Sequence, residues 1–147
     1  MSDPIDALKT LLTRLIDSRE GYRDALEHVR SPATKSVFEE FMARRDRDAS
    51  ELRATLTTMG HTADDDGSIL ASAHRTFTNL KDSVTGASDE QTLAEVVRGE
   101  KTLLDAYEKA LESTGATSPE YAWLAEQHAS LKAAIAQLET RHNLAAE

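Results

Sequence analysis

Apolar residues recur at heptad spacing along four long stretches of this 147-residue chain, and near the middle of each stretch the seam is broken by a polar residue. The interruptions are Arg19 or Glu20, then Arg45 with Asp48, then Glu100, then His128. Helices of similar length lying side by side bring such breaks to one level, so the pattern predicts a helical bundle with a polar layer inside it. Bundles place metal and cofactor sites in layers of this kind, and they also use them for buried salt bridges.

Caps and breakers divide the chain into five predicted helices. Ser2 or Asp3 caps the first, with Pro4 at its first position and a seam of Ile5, Leu8, Leu12, Leu15, Arg19, Tyr22, Leu26 and Val29 over about residues 4–30. Ser31-Pro32 opens the second, whose seam runs Phe38, Met42, Arg45, Ala49, Leu52, Leu56 and Met59 up to Gly60. A polar loop over His61–Gly67 leads to a shorter third helix from Ser68, carrying Leu70, Ala73, Phe77, Leu80 and Val84. Ser88-Asp89-Glu90-Gln91 has the form of a capping box for the fourth, with Leu93, Val97, Glu100, Leu104, Tyr107 and Leu111 before Gly115. Ser118-Pro119 opens the fifth, seamed by Tyr121, Leu124, His128, Leu131, Ile135, Leu138 and His142. No stretch alternates as a strand does.

Helices one, two, four and five reach roughly 38 Å at 1.5 Å per residue, against roughly 25 Å for the third. Short Ser-Pro connections make the first pair and the last pair antiparallel. The short helix then returns the chain along the bundle, so the second and fourth long segments run parallel. This is the one-crossover topology of a ferritin-like four-helix bundle, here a single all-α domain over residues 1–147. Apolar positions beside the seams, among them Leu11, Ile16, Phe41, Leu103 and Trp123, are expected to cover the crossover helix or a second subunit, and a homodimer is expected.

Composition narrows the functions open to such a bundle. With 17 Lys and Arg against 26 Asp and Glu, the formal charge is -9, the wrong sign for holding a phosphate backbone, so nucleic acid is not an expected partner. There are no cysteines, hence no disulfide framework, thiolate zinc site or thiol nucleophile. No run approaches 18 apolar residues and the first residues lack a basic, apolar leader, so no membrane association is expected and a cytoplasmic location is.

A di-iron carboxylate site takes one Glu from each of two helices and a Glu-x-x-His pair from each of two others. The second helix has Met42, Ala43 and Ala54 three residues after Glu39, Glu40 and Glu51, and Ala129 follows Glu126 at the same interval. Glu139-x-x-His142 fits, but it lies far along the bundle from Glu100. The residues most able to hold iron or another divalent metal are Glu20, Glu51, Glu100 and His128. The competing reading makes Arg19, Arg45, Glu100 and His128 a structural polar layer without cofactor or catalytic residue, in which Arg45 or Arg19 neutralises Glu100 and repels a cation. His74 borders the third helix's stripe, and Tyr22 and Tyr107 are expected as core aromatics with bonded hydroxyls. Asp64, Asp66 and Gly67 lack the further ligands of a calcium loop, with Thr62 and Ala73 where carboxylates belong. No phosphate-binding or Ser-His-Asp pattern is present.

Several stretches together resemble a bacterial family of ferritin-like helical bundles known as a domain of unknown function. They are Asp17-Ser18-Arg19-Glu20-Gly21-Tyr22, Gly67-Ser68 with His74-Arg75 and Leu80-Lys81, Arg98-Gly99-Glu100 with Tyr107 and Ala110-Leu111, and Ala125-Glu126-Gln127. The resemblance covers nearly the whole chain and implies a fold without a reaction. It also implies an acidic residue where this chain has Val97 and a histidine near Ile135, so that hydrocarbon replaces two polar seam positions.

Overall fold

The computed structural model describes residues 4–61 and 88–146, and within them the chain forms helices and connections with no strand. Four helices result, α1 (Pro4–Leu26), α2 (Pro32–Thr58), α3 (Asp89–Thr114) and α4 (Tyr121–Ala146). The short helix expected from Ser68, the acidic loop before it and His74 lie outside the described residues.

Most of these boundaries follow from cap chemistry. Ser31 has extended backbone and its hydroxyl accepts from Thr34 N at 3.3 Å, while Pro32 occupies a first-turn position where no amide is needed. Ser88 and Gln91 complete a reciprocal box, with Gln91 N donating to Ser88 Oγ at 3.2 Å and Ser88 N to Gln91 Oε1 at 3.0 Å. Gly115, at φ 79, ends α3 in a conformation that a side chain would resist. Two ends differ from expectation. α1 stops at Leu26 because Asp89 takes the amides of Arg30 and Ser31 at 2.9 Å each, turning the chain before another helical turn forms. α4 begins at Tyr121, two residues beyond Pro119, where Ser118 and Glu120 bond to each other in a local turn.

Cross-links fix the directions. Asp89 at the start of α3 holds the end of α1, and Ser18 farther back on α1 meets Glu100 farther along α3, so the two helices are antiparallel. Lys101 to Glu139 and Glu108 to His128, each 3.1 Å, make α3 and α4 antiparallel. The five-residue link from Leu26 to Pro32 reverses α1 into α2. Hence α2 and α3 run parallel, and Thr58 and Asp89 lie at opposite ends of the bundle. α4 also touches α2, through Arg44 to Ser130 at 3.2 Å.

The core is divided in two. One apolar cluster gathers Leu8, Leu12 and Leu15 with Leu52, Leu56, Tyr107 and Leu124, and the other gathers Tyr22 and Val29 with Phe38, Phe41, Leu93 and Leu138. Between them, Asp17, Ser18, Arg45, Asp48 and Glu100 are all buried. Leu11, Ile16, Phe41 and Leu103, expected on the flanks, belong to this core and expose no more than 1% of their surface. The reason is the width of the buried arc. α1 packs on both α2 and α3, so residues beside the heptad seam turn inward as well. Trp123 is half-buried, its ring 6.3 Å from that of Tyr107.

Candidate functional site

Glu100, at the midpoint of α3, exposes none of its surface, and two other helices, α1 and α2, deliver hydrogen-bond donors to its carboxylate. Ser18 and Tyr22 stand four residues apart on α1, one turn of the same face. Ser18 Oγ donates to Oε1 at 2.5 Å and the Tyr22 hydroxyl donates to Oε2 at 2.7 Å. From α2, Arg45 donates to Oε2 through Nη2 at 2.7 Å and through Nε at 3.2 Å. The pair is fully desolvated, the Arg45 side chain being 3% exposed. Such pairs persist only when their remaining bonding capacity is filled, and here both oxygens of the carboxylate are engaged.

Aromatic rings wall the site. Tyr22 lies between Phe38 and Phe41, with ring centroids at 5.5 and 6.2 Å, and the Arg45 guanidinium stands 6.0 Å from the Phe41 ring. Burial, followed by the charge of Glu100, pushes the Tyr22 hydroxyl well above the ordinary range, so it remains a donor. Burial alone would lower the Arg45 pKa, but the Glu100 carboxylate holds it above its usual value. Tyr22 therefore keeps its hydroxyl proton and Arg45 its guanidinium charge across the accessible pH range.

One turn after Arg45, Asp48 is 3% exposed. Burial raises its pKa to about 6, with Arg45 opposing the shift and Glu51 adding to it. The Tyr107 hydroxyl is buried without a hydrogen-bond partner among the described residues, against the expectation of a bonded phenol. Its pKa is raised by burial first and by the nearby Asp48 charge second.

Of the four residues expected in the layer, the structure brings together Arg45 and Glu100. Arg19 faces outward at the rim, 24% exposed, donating from Nε to Glu20 at 3.0 Å and from Nη1 to Asp46 at 2.9 Å. The inward position on that turn is Ser18, because an α-helix repeats every 3.6 residues and a strict heptad count drifts from the buried face. His128 bonds to Glu108 at 3.1 Å and is 21% exposed. Glu108 lies eight residues beyond Glu100, roughly 12 Å along the axis, since the turn before Tyr121 offsets α4 against α3.

The expected metal ligands are likewise dispersed. Glu20 is held by Arg19 and Arg23, Glu51 is exposed on α2, His128 is with Glu108, and Glu100 is with Arg45. Among the described residues no group of three or more His, Cys, Asp or Glu side chains is placed to hold a metal ion. The Arg45 guanidinium, the one among the described residues that reaches Glu100, occupies the lone pairs a cation would need, so these residues do not fit a di-iron centre. Ser18 was absent from the sequence-based layer, although its i, i+4 spacing to Tyr22, two hydroxyls on one inward face, was a signal available to find it.

Among the described residues no helix is long and apolar enough to cross a membrane. The family described as Domain of unknown function (DUF2383) matches residues 3–113, a span that contains Ser18, Tyr22, Arg45, Asp48 and Glu100 and stops before α4. Comparison with curated proteins and with solved structures finds no match.

Proposed function

From the premise that this chain belongs to the DUF2383 family, a domain of unknown function, we propose that it is a non-catalytic, ferritin-like helical bundle whose buried salt-bridge layer stands in place of a di-iron site. Support for the ferritin-like arrangement comes from the helix directions. α2 and α3 run parallel, and Thr58 and Asp89 at opposite ends require a long return between them, as in bundles with one crossover. A cysteine-free, acidic composition fits a bacterial cytoplasmic protein.

The observation that carries the functional reading is the bonding of Glu100. Its two oxygens accept from Ser18, Tyr22 and Arg45, so its charge and lone pairs are committed to protein donors. A layer of this kind specifies which helices meet and at what level, because any other register strands a charge in hydrocarbon. The test is elemental analysis of the full chain purified without chelator. The structural reading predicts no bound metal in fixed ratio to protein. Near-stoichiometric iron, manganese or zinc, lost on Glu100→Ala, would overturn it in favour of a di-metal carboxylate protein.

A further inference from the structure

We propose that the cavity between α1, α2 and the start of α4 binds a small alkylammonium ion, with the ammonium at Glu120 and the hydrocarbon against leucine. The cavity holds about 260 Å³. Its inner side is formed by Leu8, Leu52 and Leu124, all buried, and its mouth by Thr55, Glu120 and Trp123, all half-buried. Pro119 and the turn closed by Ser118 and Glu120 precede the first residue of α4, Tyr121, and this non-helical stretch supplies one wall. Apolar walls with a few convergent polar groups are the usual make-up of a small-molecule site.

The charge at the mouth selects the ligand. Glu120 Oε2 accepts from the Ser118 hydroxyl, which is neutral, and no Lys, Arg or His among the described residues pairs with this carboxylate. A half-buried carboxylate beside hydrocarbon attracts a cation more strongly than one in open water. Thr55 Oγ1 donates to Glu51 O at 3.1 Å, so its lone pairs are left to accept from an ammonium N–H. The Trp123 indole, 6.3 Å from the Tyr107 ring, offers a surface that draws cations and alkyl groups alike. With a net charge of -9 the whole chain concentrates cations around itself. One carboxylate among leucines does not suit a bare metal ion, which needs several oxygen ligands.

A second cavity shows the contrast. It holds about 480 Å³ beside Val97, Glu139 and His142, but Glu139 is already matched by Lys101 at 3.1 Å and no indole or phenyl ring lines it. The cavity at Glu120 has room for a short chain and none for a polypeptide backbone, which points to a free amine in preference to a lysine of a partner protein.

Titration of the full chain with butylammonium at low salt, followed by the emission and the indole N–H resonance of Trp123, the sole tryptophan, tests the site. Both signals should change saturably, with amide shifts confined to the stretches around Leu8, Leu52, Thr55 and Leu124. Glu120→Gln should weaken binding at least about fivefold, through loss of the charge-assisted partner, while circular dichroism stays that of the parent. Butanol, of equal chain length and no charge, should bind the parent at least about fivefold more weakly than butylammonium does, a preference that Glu120→Gln erases. A response to butylammonium that does not saturate, equal binding of butanol, or a Glu120→Gln variant that binds as the parent does would each overturn the proposal. Tighter binding of Nα-acetyl-lysine methylamide than of butylammonium would overturn it too, assigning the cavity to a side chain of a partner protein.

Discussion

A single carboxylate, Glu100, holds donors from α1 and α2 at once, and the value of each donor depends on the others being present. Removing Arg45 alone, as in Arg45→Ala, leaves an uncompensated buried charge and is expected to cost about 3–5 kcal/mol in denaturant unfolding. Replacing both partners with hydrocarbon, as in Arg45→Met with Glu100→Leu, removes the stranded charge but leaves the Ser18 and Tyr22 hydroxyls without their acceptor, so it should recover part of that loss, which a double-mutant cycle would read as strong coupling. Asp48 gives a separate pH signature. Its folded pKa of about 6 lies above its unfolded value, so the folded state binds the extra proton. The penalty for its charge is absent at low pH, grows as pH rises between about 4 and 6, and is complete above that window. Asp48→Asn should therefore stabilise the protein by about 2 kcal/mol at neutral pH and by little at pH about 4, measured as unfolding midpoints across the range. Tyr107→Phe removes a buried hydroxyl that has no hydrogen-bond partner among the described residues and is expected to be neutral or stabilising by up to about 1 kcal/mol.

Each helix end reflects a local instruction, and the capping box at α3 is the most complete. Ser88→Ala removes the acceptor for Gln91 N and should lower stability by about 1 kcal/mol in thermal or urea unfolding. These local signals were legible in the sequence. Ser31-Pro32, Ser88 to Gln91, Gly60 and Gly115 all mark ends where the chain places them, and the apolar seams identify all four described helices. What was not legible is whatever depends on how one helix sits against another. The choice between Arg19 and Arg45 turned on a 3.6-residue period that shifts Ser18 inward. The placement of His128 turned on an axial offset set by six residues between α3 and α4. The capture of two amides by Asp89, which ends α1 early, joins positions 59 residues apart, beyond the reach of any local pattern.

At the scale of the bundle, the buried ion pair separates two apolar clusters that would otherwise merge. Hydrocarbon tolerates sliding, since one leucine packs nearly as well as the next, whereas a charged layer permits one alignment. The variant carrying Arg45→Met and Glu100→Leu should thus remain helical yet lose a unique alignment, seen as multiplied or broadened amide resonances. A single sharp set would show that packing alone fixes the register. The same architecture leaves an optical consequence. Trp123 is the sole tryptophan, held at the start of α4 with its ring tilted 46° against Tyr107 of α3. Its emission, and the energy it collects from the neighbouring phenol, therefore report on that one seam, so fluorescence follows the peeling of the last helix independently of the clamp at the centre.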